Sequence, residues 1–268
     1  MLKILCPTDF SPNSEFAVEY AINLANDLKA EICFVTSYKV PHTTGALRNL
    51  NEKIHEALWE DINYFVDKFR TLITTGIEPK LAVVEGNTTV SILNYAENHH
   101  TDLIVMGTKG SSGVAKILMG SITKKFFETS NIPVLAIPES LKYQVTRNTI
   151  LLSLDAYGIN NEKSISLLRE LKTVPDAQID VFHVVTPDEK IYLSDNTGKI
   201  ADFIRNIVVV EGDDIVYEIK KYVEDNEIGI LVMVGRKHSF LERLFKDTNT
   251  SAELFTTNVP ILKLPELE

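Results

Sequence analysis

The residues with the plainest chemical potential are Gly107, Gly110, Gly120 and Ser121, in the stretch DLIVMGTKGSSGVAKILMGS at 102–121. Gly107, Gly110 and Gly113 recur at every third position, and Gly120-Ser121 follows. Glycines let a ligand come close to the backbone, and N–H groups can converge on it there. The start of a helix adds the positive end of its dipole. The chemistry implied is the binding of a phosphate. Two nucleotide motifs are excluded, because neither G-x-x-x-x-G-K-[ST] nor G-x-G-x-x-G occurs here. What stands is G-x-x-G, nine residues, then G-S.

These glycines need a strand before them and a helix after them. Leu103, Ile104, Val105 and Met106 form a short apolar run bounded by Asp102 and Gly107. That is the pattern of a strand buried on both faces of a parallel sheet. Val114, Ile117, Leu118, Ile122, Phe126 and Phe127 then follow at helical spacing. The same alternation runs from the start of the chain, with strands expected at 2–6, 32–35, 80–85, 103–106 and 134–137. Pro7-Thr8-Asp9-Phe10-Ser11-Pro12 closes the first strand. Ser11 or Asn13 is the expected N-cap of the next helix, with Pro12 in its first turn. A long amphipathic helix is expected over about 47–74, with Ile54, Leu58, Ile62, Phe65, Val66 and Phe69 on its stripe. Trp59 lies beside that stripe and reads as a packing residue. His99-His100 ends a later helix, where an imidazolium suits the dipole. Strands alternating with helices argue for a parallel sheet covered on both faces. In the order 3-2-1-4-5, the loops after strands one and four flank one crevice, so Pro7, Thr8 and Asp9 would face Gly107 and Gly110.

The chain then repeats this plan. Ile4-Leu5-Cys6-Pro7-Thr8-Asp9 is echoed by Ile150-Leu151-Leu152-Ser153-Leu154-Asp155, and Glu85-Gly86 by Glu211-Gly212. Leu103-Ile104-Val105-Met106-Gly107 is echoed by Leu231-Val232-Met233-Val234-Gly235, and Asn131-Ile132-Pro133 by Asn258-Val259-Pro260. The matches keep their order, as in a duplicated domain rather than a solenoid. The halves are expected at 1–143 and 147–268. The copies are unequal. Gly235 is followed by Arg236-Lys237-His238, so His238 stands where the first half has Gly110. Thr248-Asn249 replaces Gly120-Ser121, and Ser153-Leu154 replaces Pro7-Thr8. Side chains thus occupy positions where backbone would have to meet a phosphate, and only the first half is expected to bind one. Arg236, Lys237 and His238 read either as a site for another anionic ligand or as solvated residues. Residues 187–205 must stand in for the long helix of the first half.

Composition narrows the function classes. Of 268 residues, 44% are hydrophobic, enough for a real core, and the formal net charge is −10. An acidic chain argues against nucleic-acid or anionic-membrane partners. The two cysteines, Cys6 and Cys33, lie in apolar runs and read as buried, reduced thiols. The opening apolar run is too short for a signal peptide, and no stretch reaches the roughly 18 apolar residues of a membrane span. A cytoplasmic, soluble protein is expected. No paired carboxylates, Ser-His-Asp ordering or metal-ligand cluster stands out, so no catalytic residue and no metal site are assigned.

Together, the opening ILCPTDFS, the Gly107-to-Ser121 spacing and the closing Ile132-Pro133-Val134 resemble the universal stress protein family, over nearly the whole chain and as a tandem member. The resemblance implies an α/β fold of two tandem doubly wound domains. Each would be a five-stranded parallel sheet of order 3-2-1-4-5 with helices on both faces. The two would pack as an intrachain pseudo-dimer through 134–137 and 260–264, with room for a further homodimer. It also implies ATP, with or without Mg2+, held in the N-terminal half. Asp9 would lie by the nucleotide, with Pro7 and Thr8 on the adenosine side and the backbone near Ser37 at the adenine. Met106 and Gly107 would line the site, and Lys109 and Gly110 would lie by the ribose and phosphates. Gly120, Ser121, Ile122 and Thr123 would cradle the phosphates. Read from the residues alone, Ser121 and Thr123 also serve as helix caps and Asp9 as a turn residue. The function implied is an ATP-binding regulator of stress responses. The alternatives are a nucleotide-free scaffold or small-ligand module, and a slow ATPase using Asp9 with a divalent ion.

Overall fold

The computed structural model describes residues 1–40, 48–74, 76–108, 119–139, 141, 143, 149–187, 197–236 and 258–266. The first half contributes strands β1 Lys3–Pro7, β2 Glu31–Tyr38, β3 Lys80–Glu85, β4 Leu103–Gly107 and β5 Val134–Ile137. The second contributes β6 Thr149–Ser153, β7 Gln178–Val185, β8 Asn206–Glu211, β9 Ile228–Gly235 and β10 Ile261–Pro265. The helices are α1 Pro12–Leu28, α2 Arg48–Asp67, α3 Thr88–Asn98, α4 Ser121–Thr129, α5 Glu162–Leu171 and α6 Ile215–Asp225. All ten strands join one sheet in the order β3-β2-β1-β4-β5-β10-β9-β6-β7-β8. Counted within each half, the order is 3-2-1-4-5 both times. Neighbours are parallel except at the centre, where β5 and β10 run antiparallel with Leu135 opposite Leu262.

The period-two alternation of strand side chains divides the core into two layers. Ile4, Cys6, Phe34, Leu103, Val105 and Leu135 point to the face covered by α1 and α2. Leu5, Val35, Ile104, Met106, Val134 and Ala136 point to the face covered by α3 and α4. In the second half Leu152 and Val181 pack beneath α5, and Leu151 and Phe182 beneath α6. Each layer crosses the β5–β10 seam without a break, since Leu135 and Leu262 share one layer while Val134 and Ile261 share the other. Each fully buried side chain of this kind contributes about 1.5–3 kcal/mol relative to exposure.

The local signals resolve as their chemistry requires. Ser11 caps α1 with Pro12 at its first position, and the Ser11 side chain accepts from Ser14 N. The helix expected over 47–74 is shorter at its end, and this expectation is corrected: α2 stops at Asp67 and a 3-10 turn follows at Arg70–Leu72. The Asn26 side chain of α1 holds the chain there. Its Nδ2 donates to Leu72 O at 2.7 Å, and its Oδ1 accepts from Thr74 N at 2.9 Å. Between β7 and β8 of the second half, the described residues 197–204 form turns that bury Ile200. Cys6 is fully buried, and burial raises its thiol pKa far above the ordinary range. Among the described residues no helix is long and apolar enough to cross a membrane, and no group of His, Cys, Asp and Glu is placed to hold a metal.

Candidate functional site

The chain turns from building outward on one side of β1 to building on the other between β3 and β4. The loops after β1 and β4 therefore diverge at the C-terminal edge of the sheet and leave a crevice. The β1 loop is a tight polar knot. Thr8 N donates to Val35 O at 2.9 Å, which ties the loop to β2. Thr8 is buried, and its hydroxyl accepts from Phe10 N at 3.1 Å and meets the Ser14 hydroxyl at 3.0 Å. Asp9 is exposed, and its Oδ1 accepts from Ser11 N at 3.2 Å and from Ser11 Oγ at 2.5 Å. Phe10 takes a left-handed φ of 61° and rests its ring on Phe65 of α2, 5.4 Å between centroids.

The β4 side is bound in from two directions. Thr108 N donates to Ile137 O at 2.9 Å, and Thr108 O accepts from Gly120 N at 2.6 Å. Thr123 is buried, and its hydroxyl donates to Gly107 O at 2.8 Å. The first turn of α4 is thereby pinned to the end of β4. Gly120 is the N-cap of α4 and supplies no side-chain hydrogen bond. The other described caps differ: Ser11, Asn87, Asn161 and Asp214 each accept from a first-turn N–H. No acidic residue stands in the first turn of α4, whereas α1, α5 and α6 carry Glu15, Glu162 and Glu218 there. A helix start without a carboxylate and without a side-chain cap keeps its N–H groups and positive dipole end for an external anion.

The sequence-predicted residues fall into three groups. Pro7, Thr8, Asp9 and Gly107 lie at the C-terminal ends of β1 and β4, and Gly120, Ser121, Ile122 and Thr123 form the start of α4 beside them. Ser121 and Ile122 are exposed. Met106 and Ser37 offer the crevice backbone rather than side chain. The Met106 side chain is buried in the layer under α3 and α4, and Ser37 Oγ donates to Thr88 Oγ1 at 2.9 Å. Lys109 and Gly110 lie outside the described residues, as do Lys237, His238, Thr248 and Asn249.

The model of the universal stress protein family matches residues 1–138. The chain belongs to the universal stress protein family. Universal stress protein MJ0531 of Methanocaldococcus jannaschii is 32% identical over 142 residues, covering 52% of this chain and 84% of that protein. Universal stress protein YxiE of Bacillus subtilis is 26% identical over 144 residues, covering 50% of this chain and 97% of that protein. The crystal structure of a universal stress protein from Archaeoglobus fulgidus aligns over 98% of this chain and 96% of its own, with a TM-score of 0.70 and 18% identity. At that identity the likeness concerns the fold, and it extends over both halves.

The second half repeats the strand order, so the loops after β6 and β9 also diverge at a crevice, and Arg236 reaches into it. Arg236 follows Gly235 at the end of β9, the place Thr108 holds after β4. One of its guanidinium nitrogens donates to the carboxylate of Asp155, the residue that echoes Asp9. The other donates to Gly158 O at 2.5 Å and lies 3.4 Å from Glu266 Oε1. The Tyr157 ring centroid is 5.9 Å from the guanidinium. Glu266 in turn accepts from Asn160 N at 2.9 Å and Asn161 N at 3.3 Å. The sequence leaves Arg236 open to an anionic ligand or to solvent. In the structure it is neither, because its side chain is 17% exposed and held by two carboxylates. Its position one residue after the strand glycine, opposite an aspartate at the end of β6, is the signal that could have found it.

Proposed function

We propose that this protein is a stress-response regulator that holds one ATP, with or without Mg2+, in the crevice of its first half. On this reading residues 1–143 and 147–268 are two tandem domains, and the second is a nucleotide-free partner of the first. The observation that carries the reading is the start of α4. It lies at the crevice between β1 and β4, is capped by a glycine without a side-chain bond, and has no acidic residue in its first turn. On this reading Asp9 lies by the nucleotide, Pro7 and Thr8 serve its adenosine side, the backbone near Ser37 serves the adenine, Met106 and Gly107 line the site, and Lys109 and Gly110 serve the ribose and phosphates. Gly120, Ser121, Ile122 and Thr123 cradle the phosphates. Family membership supports the regulatory role, and Arg236 with its two carboxylates supports the asymmetry between the halves.

The test is Gly120→Asp. The cap residue has φ −67° and ψ 154°, an extended conformation that aspartate adopts readily. Aspartate at an N-cap stabilises a helix by up to about 1 kcal/mol relative to poor caps, yet it sets a carboxylate where the phosphate would sit. The melting temperature should hold or rise while ATP affinity, measured by calorimetry, falls at least about tenfold. Unchanged ATP affinity in this variant would remove the cradle assignment.

A further inference from the structure

Lys263 breaks the equivalence of the two central strands. The closing strands read Val134-Leu135-Ala136-Ile137 and Ile261-Leu262-Lys263-Leu264, so a lysine stands where the first half has alanine. Within the sheet Lys263 lies opposite Val134 of β5 on one side and Met233 of β9 on the other. It is 7% exposed. Its stem passes over Gly235, where an added Cβ would come within 2.6 Å of Lys263 Cε. The Nζ then crosses the seam and donates to Ser130 O at 2.6 Å. Ser130 is the C-cap of α4, and its N–H returns to Phe126 O. A cation from the second half therefore sits on the negative end of the helix whose positive end is the proposed phosphate cradle.

We propose that Lys263 is a positioning residue for the nucleotide site, fixing α4 from the opposite half of the chain and making ATP affinity in the first half depend on the second. This rests on the nucleotide reading above. α4 is only Ser121–Thr129, so an anchor at its end bears directly on where its first turn lies. The first half has no equivalent reach, since Ala136 occupies the matching position.

The bond is also sensitive to pH. Burial lowers the Lys263 pKa to about 8. Among the described residues, the charged groups on the elements around it lie on α4 and past the strand ends. On α4, Lys125 pairs with Glu128 at 3.5 Å, and Lys124 is the remaining cation. β5 and β9 carry no titratable side chain; Glu139 follows β5, and Arg236 after β9 pairs with Glu266 after β10. As pH rises through 8 the ammonium loses its proton, and the charge-assisted bond to Ser130 O weakens to a neutral one.

The experiment uses the full chain and three proteins, wild type, Lys263→Met and Gly235→Ala. Methionine keeps the apolar stem over Gly235, and the Gly235→Ala methyl displaces the lysine without altering it. ATP is titrated calorimetrically at pH 7 and pH 9, and amide hydrogen exchange is followed without nucleotide. The wild type should lose about fivefold in affinity between the two pH values. Lys263→Met should already be weaker by about that factor at pH 7 and show a flat profile. Gly235→Ala should move in the same direction. In both variants α4 amides should exchange faster while β1 to β3 keep their protection. Wild-type affinity, pH profile and α4 exchange in Lys263→Met would overturn the proposal and leave the nucleotide reading intact. Absence of ATP binding by the wild type would overturn the nucleotide reading, and this proposal with it.

Discussion

Arg236 and Gly107 illustrate how single residues decide what each crevice can do. In the first half the strand end carries Gly107 and then Thr108, which is buried and spends its backbone on Ile137 and Gly120. In the second half the same place carries Arg236, whose guanidinium fills the space between Asp155 and Glu266. Removing a partner from a buried ion pair costs about 3–5 kcal/mol, because the remaining charges stay desolvated. Asp155 is 36% exposed, so water recovers part of that. Arg236→Ala should therefore cost about 2 kcal/mol, read as a lower urea midpoint. ATP affinity should stay unchanged, because Asp155, Gly158 and Glu266, which Arg236 holds, all belong to the second half. A large loss of ATP binding in this variant would mean that the second crevice takes part. Arg236 was hard to place from sequence because an arginine after a strand reads as solvated until the strand order sets Asp155 beside it.

At the level of elements, α4 is the piece that links sheet and site. It is short and held at four points: Phe126 and Phe127 in the core, Gly120 N on Thr108 O, the Thr123 hydroxyl on Gly107 O, and Ser130 O under the Lys263 ammonium. Thr123→Val keeps the shape and removes only the hydroxyl bond to Gly107 O, worth about 1 kcal/mol. Stability should fall by about that amount and ATP should bind several-fold more weakly, with Thr123→Ser restoring both. Equal affinity in the valine variant would show that the first turn of α4 is placed without this tie. Much of this level was legible in the sequence. Strands β3 and β5 fall on the expected 80–85 and 134–137, because apolar runs bounded by Gly, Pro and Asn leave few other readings. The Ser11 cap and Pro12 start of α1 were equally plain. The end of α2 was not, because an amphipathic stripe continues through Phe69 while the residue that stops the helix, Asn26, comes from α1. Thr123 was singled out from its place after Gly120-Ser121, but its partner Gly107 O is set by tertiary packing. Lys263 was not singled out, because only the central position of β10 in the sheet buries it.

Taken as a whole, the molecule is one continuous sheet rather than two beads on a string. The β5–β10 pairing joins both core layers across the seam. Residues 141 and 143 add to this on the first half, where Leu141 and Tyr143 pack on the core and the Tyr143 hydroxyl bonds to Asp27 of α1. A shared core couples the unfolding of its parts. Thermal unfolding of the full chain should therefore appear as a single transition with matching calorimetric and van't Hoff enthalpies. Two resolved transitions would show that the halves are stabilised separately. The symmetry of the sheet and the asymmetry of the two crevices together lead to a stoichiometry, which calorimetric titration of the full chain with ATP measures directly. With the proposed site in the first half and Arg236 occupying the second, the expected result is about one ATP bound per chain. Two ATP per chain, or none, would contradict the assignment of a single site at the start of α4.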